Sequence, residues 1–157
     1  MNQKNRVLAP AQLARQSCAA MEVTAQRRQQ KIVVENLSAQ STIRGDEALL
    51  RQVLEHLIGN ALRYSPEGGA LHVELKSLDN GRCRITVLDQ GSGVPEDQLE
   101  KIFTPFFRGE GEKQGEGYGL GLAIARRVLA AVDGEIRAEN RPQGGLAVLI
   151  ELPVLAG

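Results

Sequence analysis

The sequence has few of the residues that build disulfide frameworks, metal clusters or basic surfaces. Its two cysteines, Cys18 and Cys83, have neither a metal-site nor a disulfide spacing, so a reducing compartment is the default expectation. The 19 basic and 19 acidic side chains cancel, which argues against a nucleic-acid-binding surface. No apolar run approaches the ~18 residues that span a bilayer, and the Met-Asn-Gln-Lys start does not predict a signal peptide. These absences indicate a soluble globular protein.

The common phosphate-binding loops are also missing. No G-x-x-x-x-G-K-[ST] segment occurs, which excludes a P-loop NTPase. No strand-linked G-x-G-x-x-G occurs, and the glycines from Gly117 to Gly121 have the wrong period for a dinucleotide fold. A nucleotide site in this chain must therefore be of another type.

Glycine, by contrast, is abundant. The chain has 17 glycines in 157 residues, about 11% against a usual ~7%. Eight of them lie between Gly91 and Gly121. Such a segment is either a flexible linker or a place where the backbone approaches a ligand closely.

Hydrophobic periodicity predicts alternating helices and hairpins in one domain covering residues 1–157. Apolar residues three or four apart predict helices, one beginning at Pro10, one capped by Asp46 and one from Gly121 to about Val132. A short helix is expected after Pro95. Alternating or β-rich runs predict strands at 32–37, 41–44, 71–75, 83–87, 135–139 and 146–152. The fold class we predict is an α/β, two-layer sandwich with one mixed sheet and helices on one face.

Four segments then occur in a fixed order. They are Glu55-His56-Leu57-Ile58-Gly59-Asn60-Ala61-Leu62-Arg63-Tyr64-Ser65-Pro66, Asp89-Gln90-Gly91-Ser92-Gly93-Val94-Pro95, Ile102-Phe103-Thr104-Pro105-Phe106-Phe107-Arg108 and Gly117-Tyr118-Gly119-Leu120-Gly121-Leu122-Ala123. Together they resemble the N box, first glycine box, F box and second glycine box of the ATP-binding domain of bacterial sensor histidine kinases. The resemblance runs from about Leu8 to Pro153 and implies the Bergerat fold shared with gyrase and MutL, with about five mostly antiparallel strands on about three helices.

The resemblance implies a magnesium ligand and its neighbours on one helix. Asn60 would give its amide oxygen to the Mg²⁺ that bridges the phosphates of ATP. His56, one turn away, departs from the family, which usually has asparagine there, whereas the related ATPases have a catalytic glutamate. A structural role and a site-lining, metal-binding role for His56 are both open. Glu55 could orient water or the metal shell.

The same resemblance implies which residues contact the base and which lie near the phosphates. Asp89 would accept the exocyclic amine of adenine, with Gly91 and Gly93 leaving room for the base. Arg63, unless it is only a helix-surface arginine, would lie near the phosphates and Tyr64 near the nucleotide.

The remaining assignments concern the walls and lid of the site. A lid from about 104 to 117 would close over ATP, bringing cations to the phosphates. The glycines of the last segment would open a helix whose N-terminus binds phosphate. The further nucleotide-binding residues implied are Val94, Ile102, Phe107, Arg108, Lys113, Gly117, Tyr118, Gly119, Leu120, Gly121 and Leu122.

The function implied is the ATP- and Mg²⁺-dependent catalytic domain of a sensor histidine kinase. Neither His56 nor His72 lies in the family's acceptor motif, so we expect a fragment that does not phosphorylate itself, with residues 1–9 as a tail or linker remnant from a missing dimerisation domain. The isolated domain should be a cytoplasmic monomer, and its parent a homodimer in the inner membrane that serves a response regulator. A stand-alone anti-sigma-type protein-serine kinase and a degenerate nucleotide-sensing domain remain alternatives.

Overall fold

The structure, a computed structural model, describes residues 6–35, 41–104 and 121–155. They form a layer of helices on a five-stranded sheet, with a separate two-stranded sheet. The helices are α1 (Pro10–Ala20), α2 (Glu22–Arg27), α3 (Glu47–Tyr64) and α4 (Gly121–Ala130). The strands are β1 (Arg6–Leu8), β2 (Lys31–Glu35), β3 (Ile43–Gly45), β4 (Ala70–Ser77), β5 (Arg82–Leu88), β6 (Glu135–Asn140) and β7 (Leu146–Pro153). Single 3₁₀ turns occupy Glu96–Gln98 and Lys101–Phe103.

The five-stranded sheet has the order β2-β4-β5-β7-β6, with β2 parallel to β4 and the other pairs antiparallel. This mixed, mostly antiparallel sheet packed on helices confirms the predicted fold class. Alternate strand residues such as Val73, Ile85 and Ile150 enter the same core as the buried faces of α1, α3 and α4. Among the described residues, no helix combines the length and the apolarity that a membrane crossing needs.

Helix α3 lies at the centre of the helical layer because its sequence gives it a cap and a broad apolar face. The Asp46 side chain accepts a hydrogen bond from the Leu49 amide at 3.2 Å, which confirms the predicted N-cap. Seven residues of the helix are buried, among them Leu57 and Ile58. At the other end the buried Gln30 side chain donates to the Leu62 carbonyl at 2.9 Å. The orientation of α3, which carries the first of the four segments, is therefore fixed at both ends.

The structure differs from the sequence prediction at the beginning of the chain. The helix that starts at Pro10 breaks at Met21, and α2 continues from there. The strand predicted at 41–44 occupies Ile43–Gly45, and it pairs with Arg6–Leu8, which we had expected to be a tail. Pairing of two segments this far apart in the chain leaves no local pattern in the sequence. The helix expected after Pro95 is reduced to 3₁₀ turns.

The two cysteines lie in the core and carry no reactive thiolate. Both side chains are buried. Burial raises the pKa of the Cys18 and Cys83 thiols to about 11. Neither thiol therefore contributes a nucleophile near neutral pH.

Candidate nucleotide-binding site

One end of the candidate site is the carboxylate of Asp89, which directly follows β5. The residue is 5% exposed, and its Oδ1 accepts hydrogen bonds from the Gly91 and Leu146 amides, both at 2.9 Å. Burial raises the pKa of the Asp89 carboxyl, against the opposing effect of these two amides and of the Arg141 guanidinium. Among the described residues Oδ2 has no hydrogen-bond partner, so one acceptor remains for a ligand.

A small cavity with mainly apolar walls opens above this carboxylate. Residues of α3, β5, α4 and β7 line it: Leu57, Asn60, Ala61, Tyr64, Val87, Asp89, Leu122, Leu146 and Val148. Apolar walls with one acceptor at the bottom suit a flat heteroaromatic ring that carries a donor on its edge. The cavity also brings Asn60, Tyr64 and Leu122 together with Asp89, although they come from distant parts of the sequence.

The loop after Asp89 packs closely on the end of α3. The Gln90 amide donates to the Ser65 hydroxyl at 3.1 Å. A Cβ at Gly91 would overlap the Tyr64 carbonyl oxygen, so only glycine allows this approach. The first glycine box thus lies against the end of α3, next to the cavity, because it lacks a side chain at this point.

The polar residues of α3 form the other end of the site. Arg63 donates to the Asn60 side-chain oxygen at 3.2 Å and to the Tyr64 hydroxyl at 3.3 Å. Asn60 Nδ2 is buried and has no hydrogen-bond partner in the described part of the chain. A buried donor without a partner is costly, and a bound anion would relieve that cost.

His56 lies beside the N-terminus of α4. A Cβ at Gly121 would overlap the His56 imidazole, so the glycine that begins α4 makes room for the ring. Burial, and then the positive charge of Arg63, lower the pKa of the His56 imidazole. His56 is therefore one of the contacts between the N box and the second glycine box.

Glu55 lies away from the base cavity. With His56 and Gly121 it lines a separate apolar groove between α3 and α4. Its carboxylate pairs with Arg51 at 3.3 Å, one turn earlier on the helix. The structure thus groups Glu55 with His56 in this groove, whereas Asn60 and Asp89 line the neighbouring cavity.

The described residues offer magnesium few protein ligands. In the described ranges, no three His, Cys, Asp or Glu side chains cluster as a metal site. One amide oxygen, that of Asn60, is nevertheless enough for Mg²⁺, which keeps several waters and takes its other ligands from phosphate. The donor set therefore fits a metal that arrives with a nucleotide.

Several predicted site residues do not line the cavity in the described structure, or lie outside it. Val94 and Ile102 belong to the hydrophobic core, at 9% and 0% exposure. Gly93 contacts the end of β6. The predictions for Phe107, Arg108, Lys113, Gly117, Tyr118, Gly119 and Leu120, and for most of the lid, fall outside the described residues.

The turn between β6 and β7 also belongs to the site, which the sequence analysis missed. Its residues Asn140 and Arg141 hydrogen-bond to the main chain of Val94 and Asp89. The sequence shows only a glycine-containing hairpin there. The pairing of Leu88 with Ala147 brings the turn to Asp89, and the period-two pattern of β5 and β7 does not reveal that register.

Comparisons with known proteins agree with this geometry. The family model for histidine kinase-, DNA gyrase B-, and HSP90-like ATPases matches residues 45–156. The signal transduction histidine-protein kinase BaeS of Escherichia coli is 39% identical over 115 residues, which are 72% of this chain and 24% of BaeS. The chain thus spans about a quarter of the length of this curated relative.

Solved structures show the same fold. Full-length ShkA in complex with AMPPNP has a TM-score of 0.84 and 30% identity, over 100% of this chain and 32% of ShkA. The catalytic domain of the histidine kinase ThkA has a TM-score of 0.80 and 27% identity, over 96% of this chain and 95% of that domain. In length and fold, the chain corresponds to a catalytic domain of this kind.

Proposed function

The chain belongs to the family of histidine kinase-, DNA gyrase B-, and HSP90-like ATPases, and on that premise we propose that it is the ATP-binding catalytic domain of a sensor histidine kinase. The observation that carries the proposal is the Asp89 carboxylate at the bottom of an apolar cavity shared with Asn60. It is supported by the AMPPNP complex of ShkA, which matches the whole of this chain.

Adenine is the base whose edge complements the Asp89 carboxylate. Its exocyclic amine donates, and Asp89 Oδ2 is the acceptor that no described residue occupies. Guanine has a carbonyl oxygen at that position, which would face the carboxylate as a second acceptor. The unpaired, repelling oxygens make guanine the weaker ligand.

The phosphates would then extend along α3 towards α4. Asn60 would hold Mg²⁺ through Oδ1, with His56 beside it, and Arg63 would contact the phosphate oxygens. When bound, Mg²⁺ neutralises charge on the phosphates. The amides at the N-terminus of α4 would also favour the phosphates. So would the Asn60 Nδ2 donor, which has no partner in the described chain.

The reaction proposed is phosphoryl transfer to a histidine that this chain does not carry in a suitable motif. The bond between the γ-phosphorus and the bridging oxygen of ATP breaks, ADP leaves with its electron pair, and a bond to an acceptor ring nitrogen forms. The ring proton passes to solvent. Positioning and charge neutralisation would supply most of the catalysis.

The partners follow from the same proposal. The acceptor histidine would lie on a dimerisation domain elsewhere in a longer protein, consistent with the quarter of BaeS that this chain spans. A response regulator would receive the phosphoryl group next. We place this domain in the cytoplasm and its homodimeric parent in the inner membrane.

Calorimetric titration with a non-hydrolysable ATP analogue, with and without Mg²⁺, tests the proposal. We expect Asp89→Asn to weaken binding at least ~10-fold under both conditions, because the acceptor for adenine is lost. Asn60→Ala should weaken only the Mg²⁺-dependent part. Asp79→Asn and Asn80→Ala, at the exposed β4–β5 turn, are the matched controls.

Two results would point to the alternatives. Absence of binding at millimolar nucleotide would identify a degenerate domain. Acid-stable phosphate on serine, rather than acid-labile phosphate on histidine, after incubation of the full-length protein with ATP would indicate a protein-serine kinase.

A further inference from the structure

Two consecutive residues hold both ends of the loop that would contact the base. We call residues 89–94 the base loop. At its end, the Val94 amide donates to Asn140 Oδ1 at 2.9 Å, and Asn140 Nδ2 donates to the Val94 carbonyl at 2.5 Å. At its beginning, Arg141 Nη1 donates to the Asp89 carbonyl at 2.6 Å. The loop therefore spans two anchors that are adjacent in the sequence.

The Asn140 anchor imitates one step of a β-ladder. Its side-chain amide exchanges two hydrogen bonds with the main chain of Val94, as a neighbouring peptide would. A third bond joins Nδ2 to the Glu96 carboxylate at 3.2 Å. A Cβ at Gly93, whose φ is +79°, would lie 2.6 Å from Asn140 Oδ1, so the approach itself requires glycine there.

The Arg141 anchor belongs to a group of contacts that fixes the Asp89 carboxylate. The Leu146 carbonyl accepts from the Asp89 amide at 3.0 Å, and the Leu146 amide donates to Asp89 Oδ1 at 2.9 Å. Gly145, with φ +94°, lies so close that a Cβ would overlap the Asp89 carbonyl oxygen. With Oδ1 held by two amides, Oδ2 is the carboxylate oxygen that the described residues leave available to a ligand.

We propose that Asn140 and Arg141 are positioning residues for base recognition, which set the affinity and selectivity for adenine through Val94 and Asp89. Neither side chain lines the base cavity. The inference rests on the proposed function and adds to it an element, the β6–β7 turn, that governs the base end of the site and leaves the phosphate end unaffected.

The selective effect follows from where the contacts lie. The anchors described above end on the base loop, on Glu96 or on residues 145 and 146, whereas Asn60 and Arg63 contact each other on α3. Loosening the turn therefore leaves the phosphate-binding groups in place. The affinity for a ligand without a base should be unchanged. A ligand with the wrong base should lose less affinity than ATP does.

Asn140→Asp is the principal test, because it keeps the shape and the acceptor for the Val94 amide. It removes both Nδ2 bonds and puts a carboxylate against the Val94 carbonyl and Glu96. Calorimetry would give Kd values for ATP, GTP and inorganic tripolyphosphate, each with Mg²⁺. We expect ATP to bind about 10-fold more weakly, the ratio of GTP to ATP Kd to fall several-fold, and tripolyphosphate to be unchanged.

A rescue and a control separate positioning from general damage. Adding Glu96→Gln to Asn140→Asp restores a donor–acceptor pair, and we expect part of the ATP affinity and of the selectivity to return. Asn80→Asp, at the exposed β4–β5 turn, should change none of the three Kd values. If Asn140→Asp does not melt cooperatively, Arg141→Lys, which keeps the charge but loses the guanidinium geometry, is expected to show the same selective loss.

The outcomes distinguish this inference from the proposed function. Wild-type protein that binds no ATP would contradict the proposed function. Wild-type protein that binds ATP, with variants whose ATP and tripolyphosphate Kd values rise equally or whose selectivity is unchanged, would overturn the positioning role alone.

Discussion

The two ends of the candidate site are built from different kinds of contact. At the base end, main-chain amides hold Asp89 Oδ1, both at 2.9 Å. At the phosphate end, Asn60 and Arg63 meet through side chains at 3.2 Å, and the buried Asn60 Nδ2 donor lacks a partner in the described chain. The base end is therefore preorganised without ligand, whereas the phosphate end keeps a donor for which the described residues provide no acceptor.

Each end of the site has a titratable group whose pKa is shifted by burial, and the two shifts have opposite signs. Burial raises the pKa of the Asp89 carboxyl and lowers that of the His56 imidazole. In both cases the charged form is the one that is disfavoured. The site is thus rigid at one end and adaptable at the other, and both ends lower the stability of the fold to some extent.

A matched pair of glycine substitutions gives the largest expected contrast. A Cβ at Gly91 would overlap the main-chain carbonyl of Tyr64, which cannot move without shifting α3. The three nearest described atoms to a Cβ at Gly121 all belong to the His56 ring, which lies on the exposed side of α3 and can rotate away. We expect Gly91→Ala to lower the free energy of unfolding by about 2 kcal/mol, and Gly121→Ala by less than about 1 kcal/mol. Urea denaturation measures both.

The histidine provides the control for this pair. His56→Ala removes the atoms that the Gly121 substitution would meet, so Gly121→Ala should cost nothing further in that background. Equal losses for the two glycine variants, or a Gly121→Ala cost that persists without the histidine, would contradict the difference between the two ends.

A smaller effect is expected when the charge is removed from Asp89. Its pKa is raised above the ordinary value of 3.8 by burial, so folding becomes less favourable as the pH rises and the carboxyl ionises. Near neutral pH we therefore expect Asp89→Asn, although it binds ATP more weakly, to melt roughly 2 °C higher than the wild type without nucleotide. This corresponds to a rise in the free energy of unfolding on the order of 1 kcal/mol. The difference should vanish as the pH falls below 3.8. A lower melting temperature for the variant near pH 7 would show that the ionised carboxylate stabilises the fold.

The sequence was sufficient for the features that local signals mark and insufficient for the contacts between distant segments. The alternating pattern of β5 predicts that Asp89 lies at a strand end before a glycine turn. Asp46 predicts the N-terminus of α3. Both signals are local in the sequence. The contact of His56 with Gly121 depends on how two helices 65 residues apart pack, and that of Asn140 with Val94 on strand register. Neither leaves a local pattern, just as the pairing of β1 with β3 leaves none. The roles assigned to the lid and to the second glycine box before Gly121 stay predictions.

The smallest expected effect is the pH dependence that His56 adds to stability. Because burial and Arg63 lower the pKa of its imidazole, the unfolded chain takes up the proton at a higher pH than the folded one. The contribution is thus complete above the ordinary value of 6.5 and is lost as the pH falls below it. The ring is also partly exposed, so solvent screening keeps the effect small. We expect the wild type to lose about 1 °C more in melting temperature than His56→Gln between pH 8 and pH 5.5.

The other histidine makes this measurement specific. His72, on β4, pairs with Glu35 at 2.9 Å, far along the sheet from α4, and His72→Gln should keep the pH dependence that His56→Gln removes. ATP with Mg²⁺ should weaken this contrast, because phosphates beside His56 favour the protonated ring, which raises its pKa and removes the stability loss at low pH. If His56→Gln instead leaves the pH dependence of melting unchanged with and without nucleotide, the ring lies in solvent in both states, and the phosphate end of the site does not include it.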